Sequence, residues 1–189
     1  MIGAVEAVTT IATLSVEDYL EGERKSEIRH EYIGGAVYAM PGASIRHNII
    51  CQNLLIALRS HLRGKPCQVF VEGVKLRLRV AEEDIFYYPN VMVACDTRDK
   101  DEYYREHPKV LFEVLSPDTE RIDRREKFQS YTTIDSLEEY ILIAQNPMEA
   151  TVFRRSNQWR SEVIRDAEQT LRIPSLEFSV NLSAIYEGV

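Results

Sequence analysis

The chain has 189 residues, 44% of them hydrophobic and 28% charged, a composition that fits one globular domain long enough to bury a core. Thirty acidic residues against 23 basic ones give a formal net charge of -7, which excludes a protein that coats nucleic acid nonspecifically and leaves room only for a local basic groove. No stretch approaches the roughly 18 consecutive apolar residues of a membrane span.

Met1 to Leu14 is small and apolar but carries Glu6 and no basic cluster, so it reads as a flexible N-terminus ahead of a single domain over residues 15–189, with no signal peptide. Ser15-Val-Glu-Asp18 has the form of a capping box and predicts a short helix through Glu21. Gly34-Gly35 lies between two β-like segments and predicts a hairpin, with Glu31 on its first arm. Ser44 to Leu62 is the best helix: Ile45, Ile49, Ile50, Leu54, Leu55, Leu58 and Leu62 form an apolar stripe that Gly64 closes. His47 near its start has no partner at ligand spacing and reads as a surface or core-edge histidine.

From Cys67 the period becomes alternating. Cys67 to Glu72 and Val74 to Val80 read as consecutive strands about Gly73, with Lys75, Arg77 and Arg79 on one face that meets either solvent or a phosphate backbone. Pro89 places the next strand at Asn90 to Cys95, and Asp96 to His107 is a surface loop or short helix. Cys51, Cys67 and Cys95 lie in apolar surroundings without CxxC spacing. They suggest neither a disulfide framework nor a zinc site, and so a reducing, cytoplasmic compartment.

Lys109 to Leu115 is an apolar strand with a carboxylate, Glu113, set inside it, followed by a helix over Thr119 to Thr133. Burying an unpaired carboxylate costs several kcal/mol, so Glu113 needs a cation, either Lys127 or a metal ion; the plainer alternative is a frayed-end ion pair with a neighbouring Arg. Glu139 to Ala144 is another strand, Ala150 to Arg155 and Gln158 to Ile164 a hairpin, and Leu182 to Tyr186 a short helix. The order predicts an α/β (α+β) domain on a mixed β-sheet flanked by helices.

Pro89-Asn90, Phe112-Glu113-Val114-Leu115 and Asp123-x-x-x-Lys127 together resemble the PD-(D/E)XK nuclease superfamily. Within it, HEYIGG around Glu31, YYPNVMVACD around Asn90 and FEVLSPDTERIDRREKFQSY resemble the bacterial restriction endonuclease family formerly described as a domain of unknown function. The resemblance spans Ser15 to Arg155 and implies a restriction-endonuclease-like fold. It also implies Mg²⁺-dependent hydrolysis of DNA phosphodiester bonds (Mn²⁺ as substitute), and a homodimer, because cutting both strands of a duplex takes two sites. Carried over, Glu31, Asn90, Glu113 and the Val114 carbonyl would hold the metal. Lys127 would supply the amine that orients or deprotonates water, because Leu115 stands where the superfamily has its Lys.

Asn90 departs from the motif, which has Asp there. The loss of one charge implies weakened or abolished turnover. Asp84 and Asp96, each six residues away or roughly 20 Å along an extended strand, cannot simply replace it, which leaves Glu72 as a substitute. Two rival readings stay open: a catalytically silent nucleic-acid-binding or interaction protein on a nuclease scaffold, and a purely structural Glu113–Lys127 ion pair. The basic groove would draw on Lys75, Arg77, Arg79, Arg121, Arg124 and Arg125.

Overall fold

The computed structural model describes residues 13–117 and 119–189; the expected flexible terminus falls almost wholly outside them. Helix α1, Val16–Lys25, starts at the foreseen cap: the Ser15 hydroxyl accepts from the Asp18 N–H at 3.1 Å and donates to the Asp18 carboxylate at 2.7 Å. Strands β1 (His30–Ile33) and β2 (Ala36–Ala39) form the hairpin about Gly34 and Gly35. Both glycines have positive φ, +55° and +97°, as a type I′ turn requires. Helix α2, Ile45–His61, is capped by Ser44, whose side chain accepts from the His47 N–H. Its buried face is Ile50, Cys51, Leu54 and Leu58, while Ile45 is 82% exposed.

The remaining strands are β3 (Gln68–Val71), β4 (Lys75–Val80), β5 (Glu83–Tyr87), β6 (Val91–Ala94), β7 (Tyr104–Arg105) and β8 (Pro108–Leu115). After them come β9 (Glu139–Ala144), β10 (Glu149–Arg154), β11 (Ser161–Ile164), β12 (Thr170–Ile173) and β13 (Phe178–Asn181). Helix α3, residues 120–131, runs as Glu120–Ile122, a π-helical turn Asp123–Lys127, and Phe128–Tyr131; α4 is Leu182–Ile185. The expected α/β (α+β) class with mixed β-structure is present, as two larger sheets ordered β2-β1-β5-β4-β7 and β11-β10-β9-β8-β6-β3, plus the β12-β13 hairpin. Both larger sheets are mixed, since β8 runs parallel to β9 and β4 parallel to β7.

Strand β8 sits inside the six-stranded sheet and is buried on both faces. Val110, Phe112 and Val114 point to the side covered by Ile50, Leu54 and Leu58 of α2. Leu111 and Leu115 point the other way, toward Leu76 and Tyr87 of the five-stranded sheet and Tyr131 of α3. Side chains alternate along a strand, so Glu113 faces the space between the two sheets and α3. The outer face of the five-stranded sheet carries Tyr32 and Phe86, covered by Tyr19 of α1.

Several expectations are corrected. The segments on either side of Gly73 are consecutive strands as expected, but they belong to different sheets: β3 pairs with β6 and β4 with β5, and Glu72 at φ +45° redirects the chain between them. The row Lys75, Arg77, Arg79 is solvated only toward its end: Arg79 is exposed and Arg77 half-buried, whereas Lys75 is buried with its Nζ 3.4 Å from the Tyr88 hydroxyl. Strand β5 and the β12-β13 hairpin were not foreseen; β5 is a strongly polar start followed by an aromatic run, without clean alternation. Among the described residues, no helix is long and apolar enough to cross a membrane.

The cysteines are also corrected. Gln68 faces Ala94 across the β3–β6 ladder, which sets Cys67 and Cys95 opposite each other just beyond it, and they are bonded as a disulfide. Only Cys51 is free, so the ground for a reducing compartment falls away. Closing 28 residues of chain predicts about 3–4 kcal/mol of stabilisation from this link. Reduction should lower the unfolding free energy measured in urea by that amount, and intact-mass measurement should show a gain of two hydrogens on reduction.

Candidate active site

Three elements deliver charged side chains to one place between the sheets. Glu31 shares the inner face of β1 with Ile33, Glu113 the inner face of β8 with Leu111 and Leu115, and Asp123 and Lys127 lie one turn apart on α3. The Lys127 Nζ lies 3.1 Å from a Glu31 oxygen, 3.2 Å from Glu113 Oε1 and 3.4 Å from Asp123 Oδ1. Tyr131, one further turn along α3, donates its hydroxyl to Glu113 Oε1 at 2.9 Å. Tyr140 of β9 donates to the Asp123 carbonyl at 3.0 Å and so ties the π turn to the sheet. The Tyr88 N–H reaches Glu31 Oε1 at 3.4 Å.

Asn90, at the mouth of β6, joins the same cluster through the backbone. Its N–H donates to Glu113 Oε2 at 3.2 Å and its Oδ1 accepts from the Val114 N–H at 2.7 Å. A strand residue's N–H and C=O point to the same edge, so the Val114 carbonyl is also directed toward Asn90. The structure therefore brings together all five positions that the sequence singled out: Glu31, Asn90, Glu113, Val114 and Lys127.

Residues 16–184 match the family described as "Uma2: Putative restriction endonuclease". The chain belongs to this family. An uncharacterised protein of Synechocystis sp. (strain PCC 6803) is 31% identical over 178 residues, 93% of each chain. A second from that strain is 33% identical over 141 residues, 73% of this chain and 78% of its own. The crystal structure of a putative nuclease belonging to DUF820 from Anabaena variabilis superposes with a TM-score of 0.70 at 16% identity, covering 86% of this chain and 92% of that one. The two share a fold.

Two residues of the Uma2-family cluster carried no assigned role in the sequence. Asp123 appeared only as the first residue of the Asp123-x-x-x-Lys127 spacing, yet it is buried and its Oδ1 makes no hydrogen bond among the described residues. Its 3.4 Å approach to Lys127 is an ion pair without hydrogen-bond alignment. Tyr131 lay inside the expected helix over Thr119 to Thr133 with no role of its own. The i, i+4 spacing of Asp123 and Lys127 was the available signal for the first, whereas the place of Tyr131 depends on the π turn. Glu72, the suggested replacement for the missing Asp, does not join: its carboxylate turns to His47, 3.0 Å away.

The electrostatics are those of an under-neutralised pocket. Three carboxylates face one ammonium, which leaves two formal negative charges when all are ionised. Burial pushes the Glu113 carboxyl up to about 7, against the pull of Lys127 and with the added push of Asp123 and Glu31. Burial alone would lower the Lys127 ammonium, but Glu113, Glu31 and Asp123 override it and hold it well above its usual range. A hard divalent cation fits this set: the donors are all oxygen, the charge is in excess, and Asp123 Oδ1 is an orphaned acceptor. Glu31, Glu113, Asp123 and the Val114 carbonyl are the groups able to hold it, with Asn90 contributing an oxygen already shared with the Val114 N–H. Glu31 and Asn90 are partly exposed and give the cluster its route to solvent.

The expected basic groove is largely neutralised. Arg77 pairs with Asp84 and Glu106, Arg79 with Glu82, Arg121 with Glu126 and Arg124 with Glu120, whereas Arg125 is exposed. A surface cleft of about 560 Å³ is lined by Arg77, Arg79, Arg98 and His107 and shares no residue with the carboxylate cluster.

A carboxyl with a raised folded pKa contributes stability that is fully present below its unfolded pKa and is lost as pH rises through the folded one. The ordinary value is 4.5 and the folded one about 7, so metal-free protein should lose stability across that interval. Glu113→Gln, measured by urea denaturation in chelator, should gain on the parent steadily between those two pH values. A parallel pair of curves would refute the assignment. Lys127→Met, which leaves the buried carboxylates without their cation, should cost about 3–5 kcal/mol in the same measurement.

Proposed function

We propose that this Uma2-family chain is a divalent-metal-dependent endonuclease that hydrolyses DNA phosphodiester bonds, with Mg²⁺ as cofactor, Mn²⁺ as substitute and a homodimer as the cutting unit. The observation that carries it is the convergence of Glu31, Glu113 and Asp123 from three separate elements on one buried ammonium, with negative charge left over. A purely structural ion pair needs one carboxylate for one lysine. Asp123 also supplies, from α3, the charge that Asn90 lacks on β6.

When bound, the metal offsets the charge that develops on the scissile phosphate and lowers the pKa of an attacking water. Asn90 keeps Glu113 and Val114 in place through its N–H and its side-chain oxygen. Tyr131 fixes one Glu113 oxygen and leaves the other to Asn90. Lys127, surrounded by carboxylates, is held as an ammonium, so its part is to orient water and stabilise the transition state as a donor; proton removal falls to a carboxylate. Glu31, the most exposed of the three acids at 15% of its side-chain surface, is placed to meet substrate.

A second reading has a specific observation in its favour. Lys127 fills the space between the carboxylates and the Asn90 oxygen is already engaged by the Val114 N–H, as in a silent scaffold that binds nucleic acid or a partner without cutting. Calorimetry with Mn²⁺ followed by nicking of supercoiled plasmid separates the two. The nuclease reading expects binding that Asp123→Asn weakens by at least about tenfold, and nicking that Lys127→Gln lowers on the order of 10²–10³-fold. Asn90→Asp retains the acceptor for the Val114 N–H and adds a charge, so it should tighten Mn²⁺ binding. Absence of binding and nicking in both the parent and Asn90→Asp would leave the silent scaffold as the answer.

A further inference from the structure

Outside the carboxylate cluster, one group of side chains has the chemistry of a different metal. His47 and Cys51 lie one turn apart on the buried face of α2, and Glu72 follows β3 with its carboxylate turned toward them. Glu72 Oε1 is 3.0 Å from His47 Nε2 and 3.8 Å from Cys51 Sγ, and one ligand atom from each residue falls within 4.8 Å of the others. A tetrahedral ion bound at about 2.0–2.3 Å separates its ligand atoms by roughly 3.3–3.8 Å, so side-chain shifts of no more than about an ångström would seat one. Glu72 adopts φ +45°, a left-handed conformation that a side chain rarely takes. That strained backbone is held by its N–H, which donates to the Asn90 carbonyl at 3.2 Å.

We propose that His47, Cys51 and Glu72 form a second metal site, for a thiophilic divalent cation of the Zn²⁺ class. A thiolate, an imidazole and a carboxylate select such an ion over Mg²⁺, which the all-oxygen cluster suits instead. Cys51 and His47 are buried, whereas a quarter of the Glu72 side chain is exposed. Three protein ligands and an open side match the arrangement that leaves a fourth position for water. An ion there would stand beside Asn90, to whose carbonyl Glu72 is bonded.

The ordinary alternative is a His–Glu pair with a bystander thiol, and Co²⁺ distinguishes the two because a cobalt–thiolate bond has its own near-ultraviolet charge-transfer absorption. Titration of the full chain should develop that band at one equivalent, undiminished by excess Mg²⁺. The band should persist in Glu113→Gln, whose carboxylate belongs to the other cluster, and in Cys67→Ser/Cys95→Ser, and vanish in Cys51→Ala. Because Cys51 lies in the core, His47→Gln and Glu72→Gln give a second arm: each should weaken Zn²⁺ binding at least about tenfold in competition with a chromophoric chelator. No band at one equivalent, a band that survives Cys51→Ala, or Zn²⁺ affinity untouched by both His47→Gln and Glu72→Gln would overturn the site.

Discussion

One buried ammonium organises the interior. Lys127 Nζ lies between the five-stranded sheet, the six-stranded sheet and its own helix α3, and it reaches one carboxylate from each of them: Glu31, Glu113 and Asp123. Taking any of these charges out of water is unfavourable by several kcal/mol, and their attraction offsets that only if every partner is present. The cluster therefore works as an all-or-none contact between layers. Around it stand Tyr87, Tyr131 and Tyr140, packed edge-on with ring centroids 5.2–5.5 Å apart, which exclude water from the ammonium and strengthen each pairing.

The surrounding apolar core explains why a carboxylate can sit in the middle of β8 at all. Val110, Phe112 and Val114 bury one face of that strand under α2, and this anchors the strand independently of what Glu113 does on the other. Asn90 then couples the strand ends, bonding both Glu113 and Val114, so the position that lacks the motif's charge still performs its positional task. An Asp would accept the same Val114 N–H, but it would add a further anion to a pocket already carrying more acid than base. In the metal-free protein, Asn at this position relieves repulsion that Asp123 would otherwise share.

Much of this was legible in the sequence because local signals and tertiary needs agreed. Ser15 and Ser44 caps, the Gly34-Gly35 turn, the α2 stripe and the largely apolar runs of β8 and β9 each have a local reason independent of the rest of the fold. Glu113 was legible as a conflict, a carboxylate in a strand with no solvated face. What the sequence withheld depends on which segments become neighbours. Nothing local to Gly73 says that the chain changes sheets there, so Cys67 and Cys95 could not be seen as cross-strand partners, nor Glu72 as the partner of His47 and Cys51 from far along the chain. Likewise the arginines read as a basic face pair with acids, as Arg77 does with Asp84 across the β4–β5 turn, in a strand whose existence the sequence did not signal.

The π turn of α3 was equally invisible, and it bears directly on the cluster. Over eight residues a regular α-helix overshoots two full turns by roughly 80°, which would carry Tyr131 well away from the line of Asp123. A π turn is wider and rotates less per residue, so the one at Asp123–Lys127 takes back much of that drift. Asp123, Lys127 and Tyr131 thereby come to lie along one buried face, with Lys127 and Tyr131 both within reach of the same Glu113 oxygen. The irregular turn forgoes regular hydrogen bonding, and π turns are frequent at functional sites. Here it is the backbone device that lets one helix bring a carboxylate, an ammonium and a hydroxyl to a single point.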